Sequence, residues 1–259
     1  MNNQENISAL KALTCELVNK TLQEIRTHRE EHSLTDEPRL VIPEYLLVEA
    51  LEYLSGAWDL ILSGRPKAAV ALSRWVVEAS INLYWVVKGM PEDADDRLKA
   101  LVGEALRNEA SLLKGLSKIW PEKANVLSEI AGRASEVRTQ NLDIETNLQG
   151  LENRIKEADM PPSLYSVYRI CCAAAHPAVK VWEKFQEDGS NGPGSLIDTY
   201  TACWMAAQSI FHLVIGSYML TKIEIRDDEF PQKWWTDKVE PLLDQIKRTS
   251  LGSVNTSEQ

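Results

Sequence analysis

Residues 164–185, LYSVYRICCAAAHPAVKVWEKF, decide how the rest of the chain is read. Tyr165, Tyr168, Arg169, Cys172, His176 and Val179 recur at helical spacing, which predicts a helix with one chemically distinct face. Arg169 and His176 are seven positions apart, so they fall on nearly one face, about 10 Å apart along the axis. Between them Ala173, Ala174 and Ala175 leave room for another backbone to come close. Pro177 lacks an amide donor and its ring would clash with the carbonyl of Ala173. It also pushes His176 away from helical dihedrals, so a kink or short break is expected there.

A second helix answers this one. Residues 67–87 are apolar almost all round, the pattern of a central, buried helix. Arg74, Glu78 and Asn82 interrupt it at spacings of four and stack along one stripe. A buried unpaired charge is costly, so Arg74 and Glu78 must pair or face a polar cavity. Two readings stay open. In one, the stripe is a satisfied internal network that fixes helix register. In the other, it lines a polar site with Arg169 and His176.

Outward from these two segments, helical periodicity continues and no run alternates as a strand would. The expected fold class is all-α, a helical bundle with a long heptad-patterned helix or coiled-coil arm. Leu127, Ile130, Ala134, Val137, Asn141, Ile144, Leu148, Leu151 and Ile155 carry that heptad seam, with a polar Asn141 at one core position. It describes either one long helix, two helices broken near residues 139–143, or an arm that pairs two protomers. Antiparallel pairing would set Arg138 against Glu145, whereas parallel pairing would bring Arg133 near Arg138. The expected division is an N-terminal helix and loop over residues 1–42, a helical domain over 43–248 with the arm at 122–158, and a disordered tail over 249–259.

With 259 residues and 44% hydrophobic side chains, the chain is long enough to bury a substantial core. A net charge of -10 argues against extended DNA binding, which needs a basic surface, while leaving room for a small local site. Four cysteines, two of them adjacent, make a poor disulfide framework, and the N-terminus has no signal-peptide pattern. A cytoplasmic location is therefore expected. Residues 199–221 carry no charged side chain, but Gln208, Ser209, His212 and Ser217 fit a buried core helix better than a membrane span. His28-Arg29-Glu30-Glu31-His32 spells a short zinc pattern, yet the segment is strongly polar and no third ligand is identifiable. No metal or other cofactor is expected. Pro43 and Pro66 each suit the first turn of a helix.

Arg169, six intervening residues and His176 together resemble the R-x(4–6)-H signature of the HEPN superfamily, the higher-eukaryote-and-prokaryote nucleotide-binding helical domains. Tyr168-Arg169 and His176-Pro177, with Arg74 and Glu78 on an earlier apolar helix, are also similar to a bacterial helical family of unknown function related to that group. The resemblance spans roughly residues 66–185. It implies a metal-independent ribonuclease of toxin–antitoxin or antiphage type, acting as a homodimer on RNA or a nucleotide. Arg169 would then hold the scissile phosphate, and His176 would be the general base or acid. Glu78 would orient the imidazole, Arg74 would balance Glu78, and Tyr168 would give support. Ile170 departs from the nuclease members, which often carry a polar residue there. The alternative is a non-catalytic helical module that binds a nucleotide, a small anion or a protein partner through the same pocket.

Overall fold

The computed structural model describes residues 3–34, 37–88, 94–141, 150–160, 162–175, 198–223 and 232–252. These residues form nine helices and no strand, so the protein is all-α. The helices are α1 (Asn3–Glu31), α2 (Pro38–Leu62), α3 (Pro66–Lys88), α4 (Ala94–Ile119), α5 (Ala124–Asn141), α6 (Leu151–Glu157), α7 (Pro162–Ala175) and α8 (Thr199–Thr221), with a closing helix α9. That last helix runs through Gln232–Trp234, a π-helical turn Trp235–Val239, and Glu240–Gly252.

The ends of these helices follow from local chemistry. Pro66 sits at the first position of α3, where a missing amide donor costs nothing. Gly64 has φ +75°, a left-handed conformation suited to glycine, and closes α2. Asp198 caps α8 by accepting a 2.7 Å hydrogen bond from the Thr201 amide. One start differs from expectation. It is Pro38 that opens α2, and Pro43 lies inside the helix rather than at its beginning. Pro43 is close enough to the N-terminus that the lost hydrogen bond is among the first in the ladder.

The chain divides into two compact units, Met1–Leu83 with Met160–Gln259, and Tyr84–Asp159. In the first unit α8 is the central rod. It packs against α1, α2 and α9, and the Ser80 hydroxyl of α3 lies 2.9 Å from the Ser209 carbonyl of α8. By length and composition alone α8 would be long and apolar enough to cross a membrane, but 72% of its most apolar window is buried inside the protein. Its His212 pairs with Gln208 at 2.8 Å, and burial pulls the imidazole pKa down to about 4. The α1 helix, set apart at the sequence level, packs on α2, α8 and α9.

The second unit is a helical hairpin of α4 and α5, completed by the last turn of α3 and by α6. Trp85 is its anchor. Its indole donates to Glu157 at 2.5 Å, and the guanidinium groups of Arg97 and Arg154 lie 4.9 and 5.8 Å from its rings. Arg154 is buried, and Glu104 neutralises it at 3.1 Å.

No coiled-coil arm is shown. The α5 helix ends at Asn141, residues 142–149 lie outside the described residues, and α6 is a separate short helix. The heptad seam also fails as a single buried line. Ala131 and Ala134 are buried against Ala110 of α4, while Ile130, a seam position, is exposed. Small side chains let α4 and α5 approach closely within one chain, and that pairing rotates Ile130 outward. The residue range 249–259 divides as well: α9 continues to Gly252, and 253–259 lie outside the described residues.

Candidate functional site

The polar stripe of α3 meets α7. Arg74 and Glu78, one turn apart, pair at 3.4 Å. Arg74 Nη2 also donates to the Tyr168 hydroxyl at 3.3 Å, and the guanidinium carbon lies 5.5 Å from the Tyr168 ring centre. The geometry on α7 follows from its pattern. Leu164, Val167 and Cys171 form the buried line that seats the helix. Tyr165, Tyr168 and Cys172 stand at its edge, half-buried, and the two tyrosine rings lie 6.5 Å apart.

The electrostatics are those of a tightly coupled cluster. For Arg74, burial acts to lower the pKa, but Glu78, Cys172 and Tyr168 outweigh it and the net direction is up. The Tyr168 phenol is pushed up to about 12 by burial, by hydrogen bonding to Cys172 and by the nearby Glu78 charge. Tyr168 is therefore neutral throughout the physiological range, a donor as well as an acceptor. Burial likewise raises the Cys171 thiol to about 12, with Cys172 adding to the effect. A thiol so buried and so weakly acidic packs rather than reacts.

The cluster is not sealed. The side chains of Arg74 and Glu78 keep 30% and 34% of their exposure, so solvent or a ligand reaches them. Arg169 follows Tyr168 on the next stripe of α7 and is exposed. Among the described residues it makes no ion pair. Asn82 is half-buried one turn beyond Glu78. His176 and Pro177 lie outside the described residues, so the expected kink does too. The structure thus brings together Arg74, Glu78 and Tyr168 and leaves Arg169 facing outward beside them.

Cys172, placed by helical spacing on the face of Tyr168, is the cluster member to which sequence reading gave no role. Its neighbour Cys171 is buried and packs. Elsewhere in the first unit, a cleft of about 290 Å³ is lined by Glu16 and Lys20 of α1 and by Lys233, Trp234, Asp237 and Lys238 of α9. Its acids and lysines alternate at helical spacing, as on a solvated groove between two amphipathic helices. Among the described residues no three His, Cys, Asp or Glu side chains cluster as metal ligands would.

No protein-family model, curated protein or solved structure matches the chain.

Proposed function

We propose that the α3–α7 face handles a phosphodiester, with Arg169 as the cation presented to it. The carrying observation is a division of labour between two arginines. Arg74 is engaged by Glu78 and Tyr168, while Arg169, on the adjacent stripe, is exposed and makes no ion pair among the described residues. Arg74 would hold α3 to α7, and Arg169 would grip a phosphate through charge-assisted hydrogen bonds.

The chemistry that fits this arrangement is HEPN-like, metal-independent RNA cleavage. His176 lies seven residues after Arg169 in the chain. In this reading it takes the proton of a ribose 2′-hydroxyl or returns one to the leaving 5′-oxygen. The O2′–P bond forms, the P–O5′ bond breaks, and the products are a 2′,3′-cyclic phosphate and a 5′-hydroxyl. The test is RNA cleavage in excess EDTA by the wild type, Arg169→Ala and His176→Ala. Activity in the wild type alone is expected; full activity in His176→Ala would overturn the assignment.

A second reading shares the site. The same Arg74 engagement favours a non-catalytic anion or nucleotide module, in which Arg169 binds and nothing turns over. Thermal stabilisation by a nucleotide, lost in Arg169→Ala and unaccompanied by cleavage of any RNA, would select it.

A further inference from the structure

The second unit carries an apolar surface that its own helices do not cover. Inside the α4–α5 hairpin the buried cluster is small: Ala110, Ala131 and Ala134, with Leu106 and Leu113 packed at its edge. Trp85, Leu98 and Ile155 are buried elsewhere in the same unit. Yet larger side chains lie outside the hairpin cluster. Leu112, Ile119 and Val126 are 62%, 68% and 59% exposed, and Val102, Trp120 and Ile130 are exposed as well.

Helical geometry gathers most of these onto one side. Counted from Ala110, Leu112 and Val102 of α4 fall at roughly 200–280°; counted from Ala131, Val126 and Ile130 of α5 fall in the same roughly 200–280° range. Ala110 and Ala131 face each other, and antiparallel helices turn in opposite senses about a common viewing axis. Equal angles therefore put both sets on the same face of the hairpin.

From this face we infer that a second copy of the chain docks here, α4 against the partner's α5, as an up-down-up-down four-helix bundle. The charges on the face argue for self-pairing. Glu109 of α4 lies at roughly 260° and Arg133 of α5 at roughly 200° on the same count. They also stand at the same height, since Glu109 adjoins Ala110 and Arg133 adjoins Ala134, which pack together. A two-fold axis parallel to the helices brings Glu109 of each copy opposite Arg133 of the other, twice. Among the described residues of one chain Arg133 pairs with the exposed Glu129, at 2.5 Å, an exchangeable surface contact.

The size is adequate. The α5 helix is about 27 Å long at about 1.5 Å per residue, and two packed helices are about 20 Å across. The footprint of roughly 550 Å² is close to the roughly 600 Å² per partner at the lower end of specific interfaces. This inference does not rest on the phosphodiester reading, because the hairpin and the α3–α7 cluster belong to different units.

The experiment is sedimentation equilibrium on the full chain, with far-UV circular dichroism to verify folding. The wild type is expected to be a dimer. Val126→Glu, at a site already exposed, is expected to be a folded monomer. Glu109→Lys and Arg133→Glu each place like charges across the interface twice, and each should weaken self-association at least roughly tenfold. Mixing those two variants should restore association, because the mixed pair sets Lys against Glu and Glu against Arg. A monomeric wild type, a dimer unaffected by Val126→Glu, or a mixture no tighter than its components would overturn the inference.

Discussion

The Arg74 guanidinium donates to the Tyr168 hydroxyl at 3.3 Å across 94 positions of sequence. This one contact ties the apolar helix with a charged stripe to the helix that carries Arg169. Tyr168→Phe keeps the ring beneath Arg74 and removes the hydroxyl, so the expected cost is about 1 kcal/mol. Glu78→Gln removes the opposite charge, and solvent screening of a one-third-exposed pair holds its cost to about 1 kcal/mol. The two should not add. A double-mutant cycle by urea denaturation is expected to show a coupling of roughly 0.5–1 kcal/mol; strict additivity would mean that the cluster does not act as a unit.

Stability should fall on mild acidification, in part because of His212. Its folded pKa of about 4 lies below the ordinary value of 6.5, so the folded state binds fewer protons than the unfolded chain between those values. The contribution is full above pH 6.5 and is lost as pH falls through 4, on the order of 3 kcal/mol in all. Denaturation midpoints of the wild type and His212→Gln, compared from pH 7.5 to 4, should converge as the pH drops. Parallel curves would show that His212 titrates normally.

In the first unit, the Tyr218 hydroxyl donates to Glu24 at 2.6 Å, joining α8 to α1. Tyr218 is buried and its acceptor is a carboxylate, so Tyr218→Phe should cost roughly 1.5–3 kcal/mol. Thermal unfolding reads this directly, and a shift within error of zero would contradict it.

In the second unit, Glu104→Gln removes the charge that neutralises buried Arg154. The expected loss is roughly 1.5–3 kcal/mol. Hydrogen exchange should quicken in α4 and α6 and stay unchanged in α8. Equal acceleration in α8 would show that the two units open together.

The all-α class was legible because the apolar period of 3.6 runs through almost every segment. The α3 stripe was legible too, since Arg74 and Glu78 stand out in an apolar helix at a spacing that forces them together. Its meeting with Tyr168 was not read from the residues, which pointed to Arg169 and His176 as the facing groups; Tyr168 entered only as a support implied by the resemblance. Of the three readings of the heptad seam, the coiled-coil arm is not shown, while the end of α5 at Asn141 agrees with a break near residues 139–143. A heptad seam states which positions are apolar, not which partner covers them, and Ala131 and Ala134 let α4 approach more closely than any larger seam would. The hairpin's outer face was invisible for a related reason: Leu112 and Val126 look like core residues until burial separates them from Ala110 and Ala131. The π-helical turn at Trp235–Val239 has no signature in the sequence that we can identify.

The central claim is that Arg169 and His176 serve an attack by a ribose 2′-hydroxyl. The most direct measurement pairs an all-RNA oligonucleotide with copies in which the nucleotide 5′ to each scissile bond is 2′-deoxy, both in EDTA, with product ends identified by mass spectrometry. The account predicts 2′,3′-cyclic phosphate ends from the RNA and no cut at the deoxy positions. Equal cleavage of both, or intact RNA under every condition tried with folded protein, would contradict it.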